Sequence, residues 1–257
     1  APEVRTSRAR ATMVEARPGE VWIGTLGQGI VAVDAASGRT RRLLHQPMAA
    51  ASLPDNSVRG LLRDRQGLVW AATYGGLSRI DPRTGALLAV SGVRLGADGG
   101  RVRADYSALL AHADGRVWMG THVDGIEIVD PARGTVQALR PDTTRPERAL
   151  QADVVMSLVA DDAGSVYVGS YRGLYRASAD GRRVGRLHWP GRRPDAGVGP
   201  LLRDGRQLWV GGLTDGLWTL DLASGRARAV LAEPARQLTD LRITALARTA
   251  DGALWIG

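Results

Sequence analysis

The chain has 257 residues, with 34 basic against 26 acidic side chains and a formal net charge of +8. It contains no Cys, which excludes a disulfide scaffold, a thiol nucleophile and any thiolate metal site. No apolar stretch approaches the roughly 18 residues that a membrane helix needs. All the basic residues are Arg, a skew that resembles GC-rich codon usage, so the charge does not by itself point to a nucleic-acid partner. Glycine, at 33 residues, is about twice its usual share of roughly 7%, and 44% of the chain is apolar, as in a turn-rich globular fold.

In chain order, the first unit of pattern is Val21–Thr25 (VWIGT), then Gly29 opening the run GIVAVD to Asp34, then the mixed run Arg39–Leu44. The second begins with an apolar run, Val58–Leu62, and a turn, Asp64-Arg65-Gln66-Gly67. It continues as Val69–Thr73 (VWAAT), Gly76–Asp81 (GLSRID), the turn Asp81–Gly85 and Ala86–Val90. The third has Tyr106–Leu110, Asp114-Gly115, Val117–Thr121 (VWMGT), Gly125–Asp130 and Thr135–Leu139. In the fourth stand Val154–Val159, Asp162-Ala163-Gly164, Val166–Ser170 (VYVGS), Gly173–Ser178 and Arg182–Leu187. A fifth has Asp204-Gly205, Leu208–Gly212 (LWVGG), Gly216–Asp221 and Arg226–Leu231. The sixth holds Ile243–Leu246, Asp251-Gly252 and Leu254–Gly257 (LWIG).

The aromatics fall at Trp22, Trp70, Trp118, Tyr167, Trp209 and Trp255, a period in the range of four-stranded propeller blades. The physical grammar agrees. Apolar or alternating runs of strand length precede turns in which Gly supplies a positive φ and Asp caps the backbone. The fourth runs carry arginines, which suit a solvent-facing edge where charge discourages edge pairing.

The expected fold is therefore all-β: one β-propeller domain over residues 1–257, of four-stranded antiparallel blades centred on those six aromatics. Five blades are full and the sixth is partial. Stopping two strands into a blade leaves an unpaired apolar edge, so the chain is expected to be a fragment of a larger propeller of about seven blades. The rival is that residues 1 to 10 close the last blade.

The aromatic at a fixed place in each repeat is expected to pack between blades. Trp189 and Trp218 fall outside that register and are the better candidates for a surface role. Each Asp-Gly turn offers too few oxygens for calcium. His45, His112, His122 and His188 lie in different repeats, and only His122-Val123-Asp124 sets a histidine near a carboxylate, so no metal or cofactor is expected. Hydrolase, zinc-protease and phosphate-loop motifs are missing, and no catalytic residue is assigned.

The recurring pattern of apolar strand, D-x-x-G, x-W-I-G-T, x-x-G-G-L, x-x-x-D and x-x-T-G resembles the two-component regulator propeller repeat. Val58–Gly85 matches it most closely, Tyr106–Gly134 and Gly19–Gly38 less so. Gly212 departs from it where Thr or Ser is usual, Ser178 where Asp is usual and Tyr167 where Trp is usual. The resemblance implies the periplasmic sensor region of a bacterial hybrid histidine kinase or diguanylate cyclase. It implies signalling across the membrane through a segment outside this chain, and a homodimer as one means of transmission.

In a propeller, the loops joining second to third strands emerge on the face that usually binds partners. Here those loops vary while the rest of the repeat does not. They place Tyr74, His122, Asp124, Tyr171, Arg172 and Asp215 at one rim, suited to a polar small molecule or glycan fragment. Two other functions share the fold: a metal-dependent propeller lyase with His122 as its candidate base, and a protein-interaction propeller using its arginine surface.

Overall fold

The computed structural model describes residues 12–49, 52–88, 106–142, 144, 149–151, 154–231, 241–249 and 251–257. The first sheet is formed by β1 (Thr12–Arg17), β2 (Glu20–Gly24), β3 (Ile30–Asp34) and β4 (Thr40–Leu43). In the second stand β5 (Val58–Arg63), β6 (Val69–Thr73), β7 (Gly76–Ile80) and β8 (Leu87–Leu88), and in the third β9 (Tyr106–Ala111), β10 (Val117–Thr121), β11 (Ile126–Asp130) and β12 (Thr135–Leu139). The fourth holds β13 (Val155–Ala160), β14 (Val166–Ser170), β15 (Gly173–Ala177) and β16 (Val184–Leu187). The fifth holds β17 (Val198–Asp204), β18 (Gln207–Gly212), β19 (Leu217–Asp221) and β20 (Ala227–Leu231). A last pair, β21 (Leu246–Arg248) and β22 (Leu254–Ile256), completes the order.

Each sheet is hydrogen-bonded in sequence order, so the fold is the expected β-propeller type, with five four-stranded blades and one two-stranded sheet among the described residues. Residues 1 to 10, the closing strand the sequence allows, and the connection from 89 to 104 lie outside the described residues. In the sixth repeat the strand starts later than its apolar run. Ile243 is buried ahead of β21, and its N–H donates to Gly212 O at 2.9 Å, so this residue packs on the fifth sheet instead of pairing in the sixth.

The chain divides into two compact units, Ala1–Val117 with Val129–Val136, and Trp118–Ile128 with Gln137–Gly257. In the first, β1 lies beside β5 and β5 beside β9; in the second, β13 lies beside β17 and β17 beside β21. Neighbouring sheets therefore meet along their first strands, as blades do at a hub. The first core gathers Ala16, Trp22, Ile30, Leu53, Val58, Val69 and Ile80; the second gathers Tyr167, Leu174, Val198, Leu208 and Val210. Every residue of β6 and β14 is buried, whereas β4 is mostly exposed, as the arginines of the fourth runs predict; the apolar first strands β5, β9 and β13 are only partly buried.

In three blades the aromatic of the second strand is tied to an acid and an arginine. Trp70 Nε1 donates to Asp64 Oδ2 at 2.9 Å, Arg79 Nη2 reaches the same oxygen at 3.0 Å, and the Arg79 guanidinium lies 5.2 Å from the Trp70 ring centre. Arg79 stands directly across the ladder from Trp70. The fourth blade repeats this more loosely, with Tyr167 and Arg176 each 3.5 Å from Asp161 Oδ2 and Arg176 over the Tyr167 ring. In the first blade Glu20 is the acid, accepting from Trp22 Nε1 at 2.5 Å, Arg41 at 2.8 Å and Arg17 at 2.6 Å. In these three blades the aromatic buries its ring while its polar edge finds an acceptor, the condition for burying Trp or Tyr without penalty.

Burial alone would raise the Glu20 carboxyl, but its bonds from Trp22, Arg17 and Arg41 hold it below the ordinary carboxylate value. A depressed folded-state pKa stabilises the fold above the unfolded value of about 4.3, and that contribution disappears as pH falls through the folded value. Urea midpoints should therefore drop on acidification below about pH 4. The drop should be shallower in Glu20→Gln; equal slopes in both proteins would refute the assignment.

The Asp-to-Gly turns are built as expected. Asp64 Oδ1 accepts the N–H groups of Gln66 and Leu68, and Gly67 takes a φ of 80°. After the third strand, Asp130 Oδ1 accepts from Ala132 and Arg133, and Asp221 Oδ1 from Ala223 and Ser224. Where Ser178 replaces the Asp, the acid moves two residues on. Ser178 Oγ bonds Asp180, and Asp180 accepts the Arg182 N–H at 3.0 Å.

Candidate ligand-binding loops

In four blades the hydroxyl that ends the second strand organises the loop after it. Thr25, Thr73, Thr121 and Ser170 each donate to the carbonyl of the glycine opening the third strand, at 2.8–3.2 Å. The same oxygens accept a loop N–H, from Gln28, Gly75, Asp124 and Arg172 respectively. One side chain therefore closes a short turn from both ends, and the residues inside it are presented outward.

The fifth blade solves the turn differently, which explains Gly212. A Cβ at this position would land on the Asp215 carboxylate, so the acid occupies the space that a Thr side chain would need. Asp215 Oδ2 in turn pairs with Arg192 Nε at 2.7 Å. The Arg192 side chain is only 3% exposed; its Nη2 also donates to Ala196 O at 3.1 Å and Gly197 O at 3.2 Å, and its guanidinium lies 5.4 Å from the Trp189 ring centre. Trp189 packs on Trp218 with ring centres 6.0 Å apart, and Trp218 Nε1 donates to Asp215 O at 3.0 Å. Introducing Gly212→Thr, although Thr serves three of the other blades, is expected to cost about 1–3 kcal/mol, as overpacking against a fixed partner does. Chemical denaturation checks this; an unchanged midpoint would refute it.

This cluster decides where the connection between the fourth and fifth blades goes. Residues 189–197 are drawn onto the loops of both: Leu213 N donates to Gly197 O at 3.0 Å, and a Cβ at Gly197 would stand 3.2 Å from Tyr171 O. The first unit does the same with residues 52–57. Gly27 and Gly29 donate to Asn56 O, Tyr74 N donates to Ser57 O, and a Cβ on Gly75 would meet Pro54 O at 2.5 Å. His45 holds that connection from within, its Nδ1 lying 2.6 Å from Leu53 O.

All six rim candidates stand on loops between second and third strands. Tyr171 is 51% exposed, and Arg172 beside it is exposed too. Asp215 shares the cluster that adjoins them but is committed to Arg192. His122 and Asp124 are half-buried on the third-blade loop, where Asp124 pairs with Arg140 at 3.1 Å. Tyr74 belongs to the first unit and carries the Arg59 guanidinium 4.7 Å from its ring centre. Hydrogen bonds and close packing thus join the Tyr171–Arg172 and Asp215 loops through residues 194–197.

Sequence reasoning missed Arg192, and it singled out Trp189 and Trp218 as the better candidates for a surface role, whereas each is 7% exposed. The available signal was the pair of aromatics out of register in a segment between blades. Among the described residues no three His, Asp or Glu side chains gather as a metal set, and no helix is long and apolar enough to cross a membrane.

Blades meeting along their first strands, with interblade connections laid over variable loops, define a β-propeller domain that presents a loop face. The chain belongs to the family described as outer membrane protein assembly factor BamB, whose model matches residues 19–228. No curated protein matches the sequence. Among solved structures it is similar to PorZ of Porphyromonas gingivalis, described as an essential bacterial surface component of the type-IX secretion system. Identity is 17% and the TM-score 0.72, over 95% of this chain and 36% of that one. The extracellular domain of the putative one-component system BT4673 of B. thetaiotaomicron is 17% identical with a TM-score of 0.55, over 95% and 39%. The computationally designed Ika8 protein is 16% identical with a TM-score of 0.64, over 98% and 72%. The chain therefore spans little more than a third of the two natural proteins, and at these identities the likeness is one of fold.

Proposed function

We propose that this chain is the extracytoplasmic, periplasm-facing ligand-sensing propeller of a bacterial signalling receptor, non-enzymatic in itself, whose loop face takes a polar small molecule or glycan fragment. The observation that carries the reading is the exposed Tyr171–Arg172 pair beside a connection held down by the buried Arg192–Asp215 ion pair. An aromatic face next to a guanidinium on a rigid support suits stacking and hydrogen bonding to a sugar. Support for the signalling context comes from the regulator-type repeat in the sequence and from the description of the BT4673 domain as part of a one-component system. Ligand would act by changing the arrangement of loops or of a dimer, passed on through a segment outside this chain.

A panel of oligosaccharides should contain members that raise the melting temperature of the protein and leave Tyr171→Ala/Arg172→Ala unmoved. Panel-wide silence, or an identical response in the double variant, would overturn the reading. A second reading, an envelope scaffold that binds proteins, is favoured by the BamB family match. It predicts salt-sensitive capture of an acidic partner without any small-molecule response.

A further inference from the structure

A cleft of about 270 Å³ opens in the first unit between the Asp64–Leu68 turn and the His112–Val117 turn, at the opposite ends of the strands from Tyr74. Its walls carry three arginines, Arg65, Arg79 and Arg116, two carboxylates, Asp64 and Asp114, and His112. Both carboxylates are fully engaged. Asp64 accepts from Trp70, Arg79 and two backbone N–H groups. Asp114 accepts from Arg116 Nε at 2.8 Å, Arg116 Nη2 at 2.6 Å and the Arg116 N–H, and lies 2.7 Å from His112 Nδ1. Burial alone would raise the Asp114 carboxyl, but Arg116 and His112 hold it well below the usual range, so it stays an anion.

Two of the arginines are not so engaged. Arg79 uses Nε and Nη2 on Asp64 and Gln66, and Arg65 uses Nη1 on Ala113 O at 3.2 Å. Among the described residues Arg79 Nη1 and Arg65 Nε and Nη2 meet no acceptor. Three guanidiniums against two carboxylates leave these side chains one positive charge in excess. A guanidinium is a planar fork that matches a carboxylate in two parallel bonds. The volume lies just below the usual 300–1,000 Å³ of ligand pockets, which suits a molecule the size of one sugar or amino acid.

We propose that this cleft is a second binding site, for a small monocarboxylate such as a sugar acid, with its carboxylate on Arg65 and Arg79. It is separate from the loop face and stands or falls independently of the sensing reading. The excess of one charge favours a carboxylate over a doubly charged phosphate, and the amino-acid or sugar body fills the space between the two turns.

Calorimetric titration of the whole chain with D-glucuronate, D-glucose and inorganic phosphate tests it. Saturable binding of glucuronate, tighter than phosphate and lost with glucose, is expected, weakening as salt is raised. Arg65→Gln should reduce the affinity about tenfold or more, and Arg65→Lys, which keeps the charge but not the fork, by less. Arg65 is exposed, so neither change threatens the fold, and an unchanged melting temperature in each verifies this. No glucuronate binding, equal binding of glucose, tighter binding of phosphate, or an Arg65→Gln protein that binds like the parent would each overturn the assignment.

Discussion

Asp215→Ala is expected to lower stability by about 3–5 kcal/mol, the loss measured when one partner of a buried ion pair is removed. The reason lies in what remains. The Arg192 guanidinium would keep two carbonyls but lose the Asp215 carboxylate while its side chain is 97% enclosed, the complement of its 3% exposure. At about 2–4 °C per kcal/mol for a chain of this size, the melting temperature should fall by roughly 10 °C. Asp215→Asn, which keeps the shape and one acceptor, should lose less. Arg192→Met with Asp215→Leu should recover part of the loss, because the pair as a whole contributes little while half of it costs much. A drop in the Asp215→Ala protein smaller than about 1 kcal/mol would mean that the guanidinium escapes to water, and the connection over 189–197 would then be held by Trp189 and the Leu213–Gly197 backbone bond.

Trp70→Ala should be of similar size, about 3–5 kcal/mol, since it removes a fully buried indole and leaves Asp64 without that donor and Arg79 without its ring. Trp255 provides the internal control. It occupies the same place in the repeat yet is 67% exposed, so Trp255→Ala should change stability by less than about 0.5–1 kcal/mol. Denaturant midpoints of the two variants compare the same chemical change in two environments. Equal losses would show that the repeat position, and not burial with its acid and arginine, sets the contribution.

The blades were legible because their causes are periodic. Val69-Trp70-Ala71 must be apolar to lie within a sheet buried on both faces, and Gly67 must be glycine to reach a positive φ. Such demands recur with each turn of the pattern and leave a mark that one sequence displays. The loop face was legible only in part. That Tyr171 and Arg172 would stand between second and third strands followed from the repeat, but the support beneath them did not. Arg192 is one of 34 arginines, and nothing local marks it as the buried one. Its environment is assembled from Trp189, Ala196, Gly197 and Asp215, residues scattered over the fifth blade and the connection before it. Gly212 was visible as an exception, but its cause, an acid three residues later turning back into the vacant space, appears only in three dimensions.

The aromatic, acid and arginine of the second blade lie between residues 64 and 79, and those of the fourth between 161 and 176, so each set closes within its own repeat. Among the described residues side-chain bonds between repeats are fewer, as from Arg41 to Pro82 O, Arg65 to Ala113 O and Gln137 to Gly181 O. A tandem duplication or deletion of one module would carry its internal fastenings with it and ask only for a new seam. A change in copy number by whole modules would then disturb the seams between blades and leave the bonds inside each module in place.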